Sequence, residues 1–403
     1  MDSEILLSTI LIIVALGGIA LAANLADKRR DPRLRQWVMG VLLVTSLMLV
    51  VWYGVLPLGI ESNEDEQGAL IASLALALGL GIVSIAVLSE RVRERLARFF
   101  PSRQQAAPQL AQTAHEALVY DDGPSGEPLF PQMLDYYTTS TRLNPSPATE
   151  IPAYDPVSVS MTRGFDPRST VHTVALVFCV YLLGTQFLAF VLGGGLEGVA
   201  EGFANGLTAW DLVLNGLPLL VIPVLGVGWG VRRNFRQTLD RLGLGPLSVQ
   251  GAAVAVGMTI ALLILVSVVG ATWQFLTPPE TFEEQTQASN ALADSVTTIG
   301  LAFVLAASAA ISEEIAFRGA LQPVFGFWAT ALIFALTHMQ YALTPATLII
   351  LGVALAFGWI RLRYNTTVAI ATHFLYNFIP LALNVSINEE AALLWLRSLG
   401  LPL

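Results

Sequence analysis

The sequence predicts an all-α fold, a polytopic membrane helix bundle of about ten transmembrane helices. Of its 403 residues, 54% are hydrophobic and 13% are charged, and the mean hydropathy is +0.64. A soluble domain carries about twice that charged fraction. Long apolar runs recur along the chain without the alternating polar and apolar residues of a membrane β-barrel. Lipid is therefore the main solvent of this chain.

Each apolar run is compared with the roughly 20 residues that a helix needs to cross about 30 Å of hydrocarbon. Residues 1–4 lack the basic character of a signal peptide, so the first run is interpreted as a retained span. The only cysteine, Cys179, lies within a span and is expected to pack in the core. The ten predicted spans are 5–25, 36–58, 68–89, 170–194, 209–231, 248–275, 296–317, 326–342, 346–361 and 366–384.

Basic residues in the short connections predict the orientation of these spans in the lipid bilayer. The clusters follow the first, third, fifth and ninth spans, and acidic connections alternate with them, so both termini are predicted to be external. With a net charge of −9, the chain is not expected to bind nucleic acid. The basic residues are Lys28, Arg29, Arg30, Arg33, Arg35, Arg91, Arg93, Arg95, Arg98, Arg232, Arg233, Arg236, Arg241, Arg361 and Arg363.

Ten of the twenty-one prolines fall within residues 101–167, which are predicted to form a Pro-rich cytoplasmic linker. A short helix is expected near 109–118. The linker divides an N-terminal three-span membrane module (1–100) from a C-terminal seven-span module (168–403). We find no internal repeat, which disfavours an inverted-repeat transporter.

Ionisable residues within spans cost about 2.5–3.5 kcal/mol each on insertion scales, so they indicate candidate functional sites. Glu314 and Arg318 are four residues apart on one helix face and are predicted to form an ion pair. Glu313 points about 100° away and is available to another partner. His338 lies on the eighth predicted span.

His373 and Asn377 share a face of the tenth predicted span. A carboxylate and an imidazole can together deprotonate water, and a second imidazole with a carboxamide can stabilise the oxyanion of amide hydrolysis. Alternatively, Glu313, His338 and His373 can hold a divalent metal such as zinc that activates the water. The residues alone leave both chemistries open. The sequence contains no HExxH, GxSxG or GxxxxGK[ST] motif.

Three motifs in this order resemble those of the CPBP family of intramembrane metalloproteases, the CAAX protease, bacteriocin-processing and Abi-type proteins. The family includes the type II CAAX prenyl endopeptidase. The resemblance covers roughly residues 290–385, the predicted protease core. The motif residues are Glu313, Glu314 and Arg318 for EExxxR, Phe334 and His338 for FxxxH, and His373 and Asn377 for HxxxN.

The resemblance implies a role for each motif. Glu313 and His338 would activate the water, Glu314 with Arg318 would set the geometry of the first motif helix, and the HxxxN motif would form the oxyanion site. Family members often carry a serine three residues before the motif phenylalanine, where this chain has Ala331. The loss of a supporting hydrogen bond there is expected to weaken activity.

The predicted function is therefore an intramembrane endopeptidase of a bacterial cytoplasmic membrane, which hydrolyses a peptide bond of a membrane-associated or secreted peptide or protein. The alternative is a non-catalytic membrane scaffold, immunity or transport-accessory protein, whose polar residues form a helix-end salt bridge and interhelical hydrogen bonds. The sequence does not indicate the oligomeric state.

The predicted spans contain one geometric conflict. In a straight seventh helix, Glu313 lies near the cytoplasmic end, whereas His338 lies toward the far end of the eighth helix. The two residues can meet if the seventh helix begins in the external loop or tilts, or if residues 319–323 re-enter the membrane.

Overall fold

The computed structural model describes residues 3–56, 64–101, 164–204, 206–341 and 344–398. These residues form helices joined by short turns, with no β-strand among them. The helices are α1 (Ser3–Arg29), α2 (Pro32–Val50), α3 (Glu64–Leu88), α4 (Glu90–Leu96), α5 (Thr170–Leu192), α6 (Gly195–Ala204), α7 (Ala209–Gly226), α8 (Phe235–Leu242), α9 (Val249–Leu276), α10 (Pro279–Ser295), α11 (Ile299–Glu313), α12 (Gln322–Phe325), α13 (Phe327–Leu336), α14 (Ala346–Arg363) and α15 (Thr366–Ser398).

Short segments of other helix types extend or connect these helices. A π-helix, Val51–Val55, continues α2, and a second π-helix, Glu314–Leu321, joins α11 to α12. Single 3₁₀ turns are formed by Ala97–Phe99 and Met339–Tyr341. The helical backbone therefore runs without a break from Ile299 to Phe325.

Polar side chains define where the helices begin. Asp31 accepts hydrogen bonds from the first turn of α2, Ser169 does so for α5, and Thr298 for α11. Such caps satisfy backbone N–H groups that have no partner within the helix. Gly243 ends α8 in the left-handed conformation (φ 70°), which glycine adopts without steric cost.

Nine helices of the described residues are long and apolar enough to cross a membrane. The prediction of an all-α membrane bundle is confirmed. The prediction that residues 326–342 form a full-length span is wrong, because α13 has ten residues and covers only about 15 Å. Hydropathy detects the length of an apolar run but not the end of the helix at Thr337.

The seventh span is longer than predicted, and this resolves the geometric conflict. It covers Ile299–Phe325 instead of 296–317, so Glu313 lies near its middle. Gly326, with φ 87°, then reverses the chain into α13. Glu313 lies about 18 Å before the end of this span and His338 about 16 Å after the start of α13, so both reach the same depth.

The N-terminal helices pack directly against the C-terminal ones. Asp27 of α1 accepts a hydrogen bond from the Ser169 hydroxyl at 2.6 Å and from the Thr170 amide at 2.8 Å. Asn24 donates to the carbonyls of Leu225 and Gly226. One apolar cluster joins residues of α1, α2, α3 and α5 with those of α12.

The division into two modules at a linker stays a prediction. Pro101 and residues 164–167, the ends of the predicted linker, lie against the bundle, where the Gly164 amide donates to the carbonyl of Pro323. The predicted linker helix at 109–118 and the rest of the linker lie outside the described residues.

Candidate active site

A fully buried charged group joins two of the three motifs. Glu314 and Arg318 have no exposed surface and His373 is 4% exposed. The Arg318 Nε lies 3.3 Å from Glu314 Oε2, and His373 Nδ1 lies 3.0 Å from Glu314 Oε1. The Glu314–Arg318 ion pair agrees with the sequence prediction. The second oxygen of the same carboxylate fixes an imidazole from α15.

Aromatic rings enclose this buried group. The Arg318 guanidinium lies 4.5 Å from the ring centre of Phe334 and 5.9 Å from that of Phe357. Phe357 also stacks on His373 at 4.7 Å. These rings exclude water and provide a favourable cation–π environment for the guanidinium, although its NH1 and NH2 atoms have no hydrogen-bond acceptor among the described residues.

The boundary between α-helix and π-helix falls between the two adjacent glutamates. Glu313 is the last residue of α11 and Glu314 is the first of the π-helical segment. π-Helical turns are rare and occur frequently at functional sites. The segment buries Glu314 and Arg318, whereas the Glu313 side chain retains 21% exposure.

Glu313 and His338 face each other. Glu313 Oε2 lies 4.0 Å from His338 Nε2, and the histidine side chain is 18% exposed. This distance is too long for a direct hydrogen bond. Glu313 Oε2 has no hydrogen-bond partner within the described part of the chain. A water 2.8 Å from both atoms would bridge them at an angle of about 90°, but Glu313 Oε2 itself is buried, so a bridging water requires a small displacement of a neighbouring side chain.

The tautomer of His338 follows from its other ring nitrogen. Nδ1 lies 2.8 Å from the carbonyl oxygen of Phe334, and a carbonyl only accepts hydrogen bonds, so Nδ1 carries the proton. In the neutral imidazole, Nε2 is then an acceptor. Glu313 and His338 thus present two acceptors toward one point, and the two O–H groups of a water match them.

The residues do not fit a three-ligand metal site. Glu313 and His338 converge, but His373 directs Nδ1 to Glu314 instead of toward them. Across the described ranges, no group of three or more His, Cys, Asp or Glu side chains is arranged to hold a metal ion. The proposed metal role of Glu313, His338 and His373 stays a prediction, and the reaction steps below use only side chains of this chain.

Two features of this site were not predicted from the sequence. The His373–Glu314 contact links residues 59 positions apart, and neither motif contains a signal for it. Tyr341 stacks on His338 with a ring separation of 6.4 Å. Asn377 lies one turn beyond His373 on α15 and is half-buried.

The three motifs thus meet at one place. The partly accessible pair, Glu313 and His338, lies there beside the buried group of Glu314, Arg318 and His373. Residues 295–379 match the family model described as type II CAAX prenyl endopeptidase Rce1-like. This segment of the chain is therefore similar to the CAAX protease (CPBP) family. The matched segment begins just before α11 and ends just after Asn377, so it contains every residue of the CAAX protease motifs. No curated protein and no solved structure matched the chain.

This similarity, together with the long apolar helices, supports an integral membrane protein with a segment like that of intramembrane CAAX-type endopeptidases. The match covers about a fifth of the chain and leaves α1–α10 outside the family segment. The helices that precede the CAAX protease segment therefore have to be interpreted from their own structure.

Proposed function

We propose that this protein is an active membrane-embedded endopeptidase in which Glu313 and His338 activate the attacking water. The observation that carries the proposal is the pairing of Glu313 Oε2 and His338 Nε2 at 4.0 Å, with both side chains partly accessible and no hydrogen-bond partner for the carboxylate oxygen among the described residues. A structural ion pair would approach more closely and would bury its charges with a partner.

The proposed reaction begins with a water donating one hydrogen bond to each acceptor. Glu313 removes a proton as the water oxygen forms a bond to the carbonyl carbon of the scissile amide, and the carbonyl π electrons move to its oxygen. A proton then passes to the amide nitrogen through Glu313 or His338, and the oxyanion electrons re-form the C=O bond as the C–N bond breaks. The products are a carboxylic acid and an amine, which exchange a proton to give a carboxylate and an ammonium group. General acid–base catalysis of this type contributes about 10²–10⁴-fold.

His373 and Asn377 are the proposed donors to the oxyanion. The Asn377 amide donates in its ordinary state, whereas His373 donates through Nε2 only when both ring nitrogens are protonated. The Glu314 carboxylate accepts from His373 Nδ1 and fixes the orientation of the ring, and Arg318 holds Glu314 in place. Glu314 and Arg318 are therefore positioning residues for the oxyanion site.

The proposed substrate is a membrane-associated or secreted peptide or protein. Glu313 lies near the middle of the seventh span, and His338 lies opposite it. The scissile bond therefore has to enter the bundle to the depth of these two residues. In a bacterial cytoplasmic membrane, our proposed location, the substrate would be a processed peptide or membrane protein that carries no prenyl group. Both termini are proposed to be external on the basis of the charge pattern.

Cleavage of a peptide and membrane-protein library by the detergent-purified protein tests this function. Glu313→Gln is expected to lower cleavage about 10²–10⁴-fold while the protein stays folded, because the amide cannot take a proton from water. Glu283→Gln, which removes an exposed carboxylate of α10, is the matched control and should cleave as the wild type does.

A chelator arm separates the two water-activation chemistries. Cleavage is expected to persist after metal removal, because the described residues supply two converging groups and not three. Loss of cleavage that added zinc restores would replace the proposed mechanism with a metal-assisted one. If the wild type and Glu313→Gln proteins are equally inert across the library while folded, the scaffold, immunity or transport-accessory alternative is favoured.

A further inference from the structure

A large cavity lies outside the site described above. It has a volume of about 1790 Å³ and is bounded by α1, α2, α5, α7 and the π-helical segment between α11 and α12. Pockets for drug-sized ligands measure about 300–1,000 Å³, so this cavity is sized for a larger molecule. Its lining residues on α1 run from Ser8 to Asp27, about 29 Å along the helix, which matches the hydrocarbon thickness of a bilayer.

The cavity is apolar along most of its length and is accessible from the side. Ile12, Met48 and Trp52 line it and are 44%, 63% and 66% exposed, and all three lie on helices that can span a membrane. Exposed apolar side chains on membrane-spanning helices contact lipid, so a molecule of the bilayer can reach the part of the cavity beside these residues.

One end of the cavity is strongly basic. This end is formed where α1, α7 and α8 finish and where α2 and α5 begin. The aspartates beside it are Asp27, Asp31 and Asp166. Asp27 accepts from the first turn of α5 and Asp31 from the first turn of α2, so their charge is directed to backbone amides. Arg35 and Arg168 pair with Glu90, and Arg241 donates to the carbonyls of Gly319 and Ala320. The arginines that line this end are Arg30, Arg35, Arg168, Arg232, Arg233 and Arg241.

Arg233 shows that an anion is favoured at this end. Its NH1 donates to the carbonyl of Val227, and its Nε is buried without a hydrogen-bond acceptor among the described residues. Burial and then the neighbouring Arg232 lower the pKa of Arg233 to about 10. No carboxylate of the described residues pairs with it, so a bound anion would relieve an uncompensated, partly desolvated charge.

We propose that this cavity binds an anionic phospholipid of the surrounding bilayer, with its phosphate at Arg232 and Arg233 and its acyl chains along α1 and α5. The basic end matches a phosphodiester, because guanidinium groups bind phosphate through several N–H donors. The apolar length and the lateral opening match acyl chains and distinguish a lipid from a soluble anion.

The bound lipid would also lie against the back of the active-site helix. Ala316, Phe317 and Ala320 of the π-helical segment line the cavity, while Glu314 and Arg318 of the same segment face away from it. Phe317 packs edge-to-face on Phe334 at 5.1 Å, and Phe334 contacts His338. The lipid site is thus separated from the paired residues by two aromatic rings.

The test uses the full-length protein, delipidated in detergent, and native mass spectrometry with dioleoyl phosphatidylglycerol or dioleoyl phosphatidylcholine. We expect one tightly bound phosphatidylglycerol and about tenfold weaker binding of phosphatidylcholine, which has the same phosphodiester but adds a choline ammonium that the neighbouring arginines repel. The assignment would be overturned if the two lipids bind equally. It would also be overturned if inorganic phosphate displaces bound phosphatidylglycerol as effectively as free phosphatidylglycerol does.

Paired variants localise the binding. Arg233→Gln is expected to abolish the preference for phosphatidylglycerol. Arg236 is an exposed arginine of α8 that does not line the cavity, so Arg236→Gln should retain the preference. Because Arg233 also contacts Val227, a second pair avoids this residue. Ala175→Phe places a ring in the cavity and should weaken binding of both lipids about tenfold or more, whereas the exposed Ala72→Phe should not. Unchanged binding in folded Ala175→Phe would contradict the proposal.

Discussion

Two adjacent glutamates of this chain have opposite environments. Glu314 is completely buried, pairs with Arg318 at 3.3 Å and holds His373 at 3.0 Å. Glu313 retains 21% exposure and faces His338 at 4.0 Å without a closer partner. The two residues are chemically identical and differ by one position in the sequence. The transition from α-helix to π-helix between them directs their side chains to different surroundings.

This difference indicates how one motif supplies both structure and chemistry. The Glu314 carboxylate has one oxygen at the Arg318 guanidinium and the other at the His373 imidazole, so neither oxygen is available to a water. A carboxylate that is partly accessible and has an unengaged oxygen can take a proton from water. A protein in which Glu313 were buried and Glu314 were accessible is therefore expected to be inactive, although both residues would still be glutamate.

Glu314→Gln should produce the largest effect on stability. It leaves the Arg318 guanidinium buried without a counter-charge, and removal of one partner of a buried pair costs about 3–5 kcal/mol. Thermal unfolding in detergent measures the change. Glu313→Gln is the neighbouring control and should unfold within about 1 kcal/mol of the wild type, since its carboxylate is partly exposed and has no ion pair at hydrogen-bond distance.

The double variant Glu314→Leu with Arg318→Met separates burial of charge from catalysis. Replacement of a buried pair with apolar residues of similar size is often neutral for stability. The double variant should therefore unfold close to the wild-type temperature but cleave poorly, because His373 loses its carboxylate. A double variant as unstable as Glu314→Gln would show that the ion pair itself is required for folding.

Asn377→Ala should produce the next largest effect, on kcat. Removal of one oxyanion donor costs about 10²–10³-fold in kcat, and a donor that acts only in the transition state leaves KM nearly unchanged. Steady-state cleavage of a substrate found with the wild-type protein measures both constants. Asn384→Ala, two turns further along α15, is the matched control. A change in KM alone would assign Asn377 to substrate binding.

The sequence predicted most of the fold and the members of the site but not their arrangement. Apolar run length predicts spans because the bilayer sets the length of a helix, and nine predicted spans correspond to long helices. The same reasoning failed at 326–342, since α13 ends at Leu336 and the polar residues Thr337, His338 and Gln340 follow. The π-helical segment could not be predicted from a period of 3.6 residues, which assumes that every turn is α-helical.

The arrangement of the site depends on contacts between distant parts of the chain. The Glu314–Arg318 pair is local, so its spacing of four residues predicts it. The His373–Glu314 contact joins two helices, and its geometry depends on how α15 packs against the π-helical segment. The basic cavity likewise collects arginines from several helix ends, which in the sequence appear only as orienting charges.

Ala331→Ser should produce the smallest effect and tests how the buried group is supported. Ala331 is 2% exposed and lies one turn before Phe334, whose ring contacts the Arg318 guanidinium. The guanidinium has N–H groups without an acceptor, and a hydroxyl at position 331 would offer one on the same face of α13. We expect the variant to gain about 1 kcal/mol of stability and to change cleavage by less than about threefold. Ala329 packs against the apolar cluster that joins α1, α2, α3 and α5 with α12, so Ala329→Ser should show no gain in stability. A loss of stability in Ala331→Ser alone would mean that the hydroxyl is buried without a partner and that the aromatic rings already satisfy Arg318.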